Sequence, residues 1–479
     1  MEQFEDIEGL QEFYRQFKNS KLGDLHEYVR KNHPEINLAT NKGIAGQVLE
    51  AVIGNAPNSN PNPDIKDINV ELKALPLRKN GQQIQPKERS KIKSLSYNGI
   101  IREEWATCEL RRKMEKILFL LYEHPTGKTY RDWEEFIFRG TILYEVEHED
   151  EETVKEDWER IRDKVIAETA DNISEGDGKI LGACTSGTGR QIPYGRDKHA
   201  KQRSYSLKNS YMKFFYEKKT NQQYASLGLN ENAKPEDFVL QKLNNELQGK
   251  SLAAIVKEYD LSFSPDAKSS FRLLINRVLK IADNEKILEL EENGIVMKTV
   301  PVDANNRPWE AMSFPRFSLV DLIEEKWDIE ENEECGESAF RSIISSGFIF
   351  IPIIKEKEAY VKDGKTKKRY KDWKTWIVGK TVYWKASDAE MSTIRKEWRE
   401  AQEIVKKGVK LQTIRRGTKQ MQENNLLKSS NTTIIHIRPH ANDSSDIDLP
   451  YYNLTQKRIR ISWQSFWLNK SFVESKIKA

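Results

Sequence analysis

Apolar residues recur at helical spacing near the N-terminus, at Leu22, Leu25, Tyr28 and Val29, and again at Ile44, Val48, Leu49 and Val52. Recurrence at i, i+3 and i+4 predicts two amphipathic helices packed on a core. A different period follows. Ile68, Val70, Leu72 and Ala74 alternate with Asn69, Glu71 and Lys73 ahead of Pro76, which is the pattern of a strand. Residues 117–122 are continuously apolar and predict a more buried strand, 141–145 a third strand, and 151–167 an amphipathic charged helix. Strands mixed with flanking helices predict an α/β or α+β fold with a mixed central sheet.

The pattern repeats. Arg131-Asp132-Trp133 returns as Lys371-Asp372-Trp373, and TVKEDW at 153–158 returns as TIRKEW at 393–398, both 240 residues later. With shifts for insertions, VELKALP at 70–76 matches IVMKTVP at 295–301, and 204–211 matches 465–472. The chain therefore reads as a tandem duplication: a first copy at 1–217, a polar linker at 218–237 and a second copy at 238–479.

Composition narrows the partners. A length of 479 residues is a soft prior for two to four domains. Seventy-eight Lys and Arg against 74 Asp and Glu leave a net charge of only +4, so nucleic-acid binding would have to come from local patches. Cys108, Cys184 and Cys335 form no CxxC pair, which excludes a disulfide framework and a cysteine zinc site and fits a reducing compartment. The N-terminus is acidic without an apolar leader, and the longest apolar run, around 348–354, falls far short of the ~20 residues of a membrane span. A soluble cytoplasmic protein without a membrane partner is expected. Gly127-Lys128-Thr129 lacks the upstream glycine of a phosphate-binding loop, and the seven histidines show no metal-ligand spacing.

Candidate chemistry sits on the strand at 68–74. Side chains two apart on a strand point the same way, so Glu71 and Lys73 share a face, and Asp64 lies close enough upstream to reach it. Two carboxylates and a lysine suit metal-assisted phosphodiester hydrolysis. Hard oxygen ligands hold magnesium, the ion polarises the phosphate and acidifies a bound water, and the ammonium orients that water or offsets developing charge. The same three residues could equally be charged decoration on a solvated strand edge, and the spacing alone does not decide.

Several segments resemble the MutH-type nucleases of the PD-(D/E)xK fold: 21–25 followed by 41–50, Pro63-Asp64 with 70–76, 112–119, and 205–209. That family includes mismatch-repair nickases and two-domain type II restriction endonucleases that cut GATC. The resemblance implies two tandem domains of this fold and a Mg2+ cofactor. It implies that Asp64 and Glu71 are metal ligands with Glu50 as an accessory carboxylate, that Lys73 activates water, and that Lys113 and Tyr205 lie near the scissile phosphate. The family's base-reading loop corresponds to 184–190, with Cys184 standing where the nickases have arginine. Thr185, Ser186, Gly187, Arg190 and, further on, Lys208 are the DNA-binding candidates of this copy.

In the second copy Val296 stands at the position of Glu71, Glu289 near that of Asp64 and Asn276 near that of Glu50, while Lys298 survives opposite Lys73. This copy is expected to be non-catalytic. It keeps basic runs at 365–369, 406–407 and 415–416, and Arg438, Pro439 and His440 at the base-reading position, which suggests a second DNA-binding domain with an effector role. The expected protein is a magnesium-dependent type II restriction endonuclease acting on double-stranded DNA at GATC, with a homodimer on DNA as one way to cut both strands. Its rivals are a strand-specific nickase and a catalytically inactive DNA-binding regulator.

Overall fold

The computed structural model describes residues 2–479 apart from 42, 58–61, 81–82, 175, 187–189, 195–197, 221–222, 231–232, 266, 268–269, 328–337, 363–364, 417–418, 442–445, 449–450, 453–457 and 460. Gly187 of the base-reading loop lies outside the described residues. The chain divides into two compact units, one of Met1–Thr220 with Glu324–Ser342, the other of Asn221–Ile323 and Ile343–Ala479. The linker expected at 218–237 is partly structured, since the helix Asn209–Lys219 runs into it and the helix Pro235–Leu247 begins within it.

The first unit is built on a mixed four-stranded sheet in the order Gln83–Pro86, Glu71–Asn80, Lys116–Glu123, Ile137–Glu145. The middle pair is parallel and the outer pairs are antiparallel. Lys116–Glu123 is covered on both faces, which explains its unbroken apolar run. On one face Leu118 and Leu120 join a core with Leu22, Leu25, Val48 and Leu49 from the helices Leu22–Asn32 and Ile44–Ala51. On the other, Phe119 meets Tyr144 and Phe215 at ring separations of 6.5 and 6.1 Å. The helix Ile7–Arg15, which the sequence reading did not identify, buries Leu10 and Tyr14 in the first of these cores.

The mixed α/β class is as expected, but the key strand starts later than its alternation suggested. Ile65 and Val70 close a short antiparallel bridge, and Asn69 takes a left-handed conformation at φ 53° inside that turn. The parallel ladder then begins at Glu71 opposite Ile117 and the strand continues to Asn80.

A second, three-stranded antiparallel sheet places Arg203–Leu207 between Ser90–Ser94 and Leu181–Thr185. Its entry point is fixed by Asp157, fully buried on the helix Glu151–Ile166. The Asp157 carboxylate accepts from the backbone N–H groups of Lys179, Ile180 and Leu181 at 2.8–2.9 Å. Gly178 passes so close that an added Cβ would lie 1.9 Å from the Leu181 carbonyl oxygen.

The second unit repeats the central parallel ladder in the same register. Val296 pairs with Phe348 and Lys298 with Phe350 in a parallel ladder, just as Glu71 pairs with Ile117 and Lys73 with Phe119. Its three-stranded sheet has Gln464–Leu468 between Met312–Phe317 and Ile435–Pro439. The buried Glu397 accepts from the N–H groups of Thr433, Ile434 and Ile435, as Asp157 does in the first unit. No helix among the described residues is long and apolar enough to cross a membrane.

Candidate active site

The turn at 65–70 folds the chain back so that Asp64 lies beside the start of the strand Glu71–Asn80. Asp64 Oδ2 accepts from the Leu72 N–H at 2.9 Å and Oδ1 from the Asn55 side chain at 3.3 Å. The strand thus fixes the carboxylate of the preceding turn through its own backbone.

Glu71 is 2% exposed, which rules out a solvated strand edge for this residue. Burial of a carboxylate requires compensation. Lys113, on the helix Glu109–Glu115, donates to both Glu71 oxygens at 3.0 and 3.1 Å, and Lys73 Nζ lies 2.8 Å from Oε1. Burial pulls the Lys73 ammonium toward its neutral form, but Glu71, then Glu50 and Asp64, outweigh this and hold its pKa above the ordinary lysine value. Glu50, at the end of the helix Ile44–Ala51, and Asp64 also act on Tyr14, whose ionisation is pushed well up by burial first and by these two carboxylates next. Three of the predicted carboxylates therefore converge on Lys73.

Glu50 and Lys73 lie on the wall of a cleft of about 430 Å³ that is also lined by Cys184, Thr185 and Ser186. Glu50 and Lys73 thus share one space with the first residues of the predicted base-reading loop, while Asp64, Glu71 and Lys113 stand behind that wall. Ser186 is buried, its N–H held by the Gln202 carbonyl at 2.8 Å, and the Cys184 thiol donates to the Ser204 carbonyl at 3.4 Å. Arg190 is exposed. Two predicted residues stand elsewhere. Tyr205 is 2% exposed, its phenol beside Trp158, Glu103 and Cys108, and its ionisation is raised mainly by burial. Lys208 donates to the Gly178 carbonyl at 2.9 Å, bracing the segment that Asp157 organises.

The sequence reading overlooked the far wall of the cleft, which carries Glu88, Arg89, Lys91 and Lys93 beside the strand Ser90–Ser94. The alternation of Ser90, Ile92 and Ser94 with lysines was a signal, weakened by the surrounding polar residues.

In the second unit the positions equivalent to Glu71 and Lys113 follow from strand register. Val296 is 37% exposed where Glu71 is buried, and Ile344 precedes its strand at the step Lys113 occupies. Asn276 donates to the carbonyls of Ala282 and Glu285, and Glu289 Oε1 accepts from Ser226 Oγ at 2.6 Å and the Leu227 N–H at 2.7 Å. Lys298 has no carboxylate paired with it among the described residues, and burial lowers its pKa. Arg438 pairs with Ser465 as Cys184 pairs with Ser204, so the arginine missing from the first copy is present at the same sheet position in the second. Arg438, Pro439 and His440 are exposed there, with the Arg438 guanidinium 5.0 Å from the centre of the Trp467 ring.

Residues 53–157 match the family model of the DNA mismatch repair enzyme MutH, a segment that contains Asp64, Glu71, Lys73 and Lys113. Along 94% of its length the chain is 26% identical to the type II restriction enzyme Sau3AI of Staphylococcus aureus, covering 96% of that protein. It is 27% identical to the DNA mismatch repair protein MutH of Vibrio campbellii over 38% of this chain and 73% of that one. With MutH of Serratia proteamaculans the identity is 26%, over 37% of this chain and 75% of the other. The chain thus carries a segment that matches the MutH family model and encloses Asp64, Glu71, Lys73 and Lys113, and along nearly its whole length it is similar to a type II restriction enzyme.

Proposed function

We propose that the protein is a type II restriction endonuclease that hydrolyses double-stranded DNA at GATC with Mg2+. Its first copy carries the chemistry, and its second copy is a non-catalytic DNA-binding effector domain. The observation that carries this reading is the convergence of Asp64, Glu71 and Glu50 on Lys73 in a cleft, set against Val296, Ile344 and Asn276 at the matching positions of the second copy. Near-full-length similarity to a restriction enzyme, rather than to the shorter MutH proteins, favours a restriction enzyme over a nickase.

No group of three or more protein ligands is ready-made for a metal ion among the described residues. Magnesium does not need one. It takes one or two carboxylates and fills its octahedron with waters and substrate phosphate oxygens, a demand that Asp64 and Glu71 suit, with Glu50 nearby. The bound ion would polarise the phosphate and acidify a water. Around it, Lys113 and Lys73 hold the buried Glu71 carboxylate in place through two hydrogen bonds and an ion pair. Lys73, held as an ammonium by three carboxylates, is suited to orienting the attacking water and offsetting charge on the phosphate rather than to removing a proton. Ser186, Thr185 and Arg190 would meet the base edges, Lys208 and Tyr205 supporting that sheet from behind. One catalytic site per chain cuts one strand, so a double-strand break needs a second chain on the DNA or a second visit by the same one.

The test is incubation with Mg2+ of paired plasmids differing only in the presence of GATC, followed by sequencing of new ends. Linear product with breaks at one fixed phosphate of GATC is expected. Nicked circles alone would favour the repair-type nickase, and binding without cutting would favour an inactive regulator.

A further inference from the structure

Between the second strand of the parallel ladder and the antiparallel strand that follows it, the two copies are joined differently. The first copy crosses from Glu123 to Tyr130 by a short loop, whereas the second inserts a two-stranded ribbon, Lys357–Lys362 paired with Lys365–Tyr370. Residues 355–371 contain eight Lys and Arg against three Asp and Glu. Six residue pairs at about 3.3 Å per residue make an arm of roughly 17 Å, the size of element that a duplex groove or its phosphate rim accommodates.

This arm is anchored. At its base Lys355 Nζ sits 3.7 Å from the centre of the Trp376 ring, and Lys357 Nζ lies 4.1 Å from that of Trp309 and 4.7 Å from that of Tyr370. Trp309 donates its indole N–H to the Lys355 carbonyl at 2.8 Å and packs edge-on against Tyr370. These cation–aromatic layers order the ribbon before any partner arrives, which lowers the entropic cost of using it. Beyond the anchor, Thr366, Lys367, Lys368 and Arg369 are all exposed, with Arg369 stacked on Tyr360 and paired with Glu358.

We infer that this ribbon is a phosphate clamp, an arm that grips the backbone of double-stranded DNA and supplies sequence-independent affinity to the second copy. The inference rests on the proposed DNA-binding role of that copy. A pre-ordered, outward-facing basic arm matches the duplex backbone, and contacts of this kind position a protein without reading bases.

The experiment is fluorescence anisotropy of the full chain on labelled GATC and scrambled duplexes without divalent metal, across a salt titration. The K367Q/K368Q/R369Q variant is compared with the charge-preserving K367R/K368R/R369K variant. Each phosphate contact contributes about 0.9 to the slope of log K against log salt. The neutral variant is expected to flatten that slope by up to about 2.7 and to weaken both duplexes by the same factor, while the charge-preserving variant keeps the slope. An unchanged slope would overturn the clamp and leave the lysines as guards against edge-to-edge pairing. A loss confined to the GATC duplex would overturn it too, by making the ribbon a base reader. Absence of GATC cleavage by a protein that shows the predicted slope change would strike the nuclease reading alone.

Discussion

Replacing Lys113 by methionine keeps most of the stem volume and removes one of the two ammonium groups on Glu71. The carboxylate is 2% exposed and receives two hydrogen bonds from Lys113, at 3.0 and 3.1 Å, and one ion pair from Lys73 at 2.8 Å. Breaking a buried ion pair by deleting one partner costs roughly 3–5 kcal/mol, because the other charge is left without compensation. Lys73 remains, so the lower end applies, about 3 kcal/mol for K113M. E71Q removes the charge that Lys113 serves, and the double variant K113M/E71Q has no buried carboxylate to strand. The structure therefore predicts a coupling of about 2 kcal/mol between the two substitutions, against additivity within about 0.5 kcal/mol for independent sites. Urea unfolding of the full chain and its three variants, followed by circular dichroism and resolved into transitions for the two units, measures this cycle. Additive costs would refute the claim that Lys113 serves to hold Glu71.

Four further outcomes follow from the same geometry. D64A should lower cleavage of a GATC duplex by at least about 10²-fold in single-turnover assays while metal-free binding survives. Because the Lys73 pKa is raised, its charge is complete below the ordinary lysine range and is lost only above it, so the cleavage rate should show no downturn from Lys73 between neutral pH and about 10. K73M should remove roughly 10²–10³ of the rate across that whole range. His124 is buried, and burial, then the charges of Lys87 and Arg78, push its pKa down to about 2. Below its unfolded value near 6.5 the unfolded chain takes up a proton that the folded one refuses, so stability falls with pH from there, by about 2 kcal/mol at pH 5, and H124N should abolish that loss in urea unfolding. D157A strands three backbone N–H groups at about 1–3 kcal/mol each and should lower the first unit's unfolding midpoint sharply, as E397A should for the second.

The elements that could be read from the sequence were those whose periods are local. The alternation around Leu72 and the unbroken run of Lys116–Glu123 report burial on one face or two, and the structure pairs these segments as adjacent parallel strands. The helix Ile7–Arg15 escaped because its buried Leu10 and Tyr14 sit among acidic and polar residues. In the site, the Glu71–Lys73 pairing follows from strand geometry, but the partner of Glu71 on the other side is 42 residues away on a helix, and no local pattern encodes that contact. The burial of Tyr205 beside Trp158 likewise depends on how the helix Glu151–Ile166 crosses the smaller sheet, which side-chain type alone does not specify.

The duplication separates what the fold needs from what the chemistry needs. Both copies keep the parallel ladder in the same register, both keep an invading carboxylate on three backbone N–H groups at the start of the same strand, and both keep a tryptophan one residue after it, Trp158 and Trp398. These features organise a backbone that would otherwise bury unpaired donors, so they persist whether or not the unit cuts DNA. Glu71, Lys113 and Glu50 behave differently. Together they bring charge into the fold that contributes little net stability, and in the second copy Val296 and Ile344 stand at the positions of Glu71 and Lys113 without disturbing the ladder. Lys298 then stands half-buried with no carboxylate paired with it among the described residues, while the exposed Arg438 and the basic ribbon belong, among the described residues, to the second copy. On the proposed function this is the pattern expected of a scaffold relieved of catalysis, with its exposed basic groups, Arg438 and Lys367 to Arg369, left to meet a polyanion.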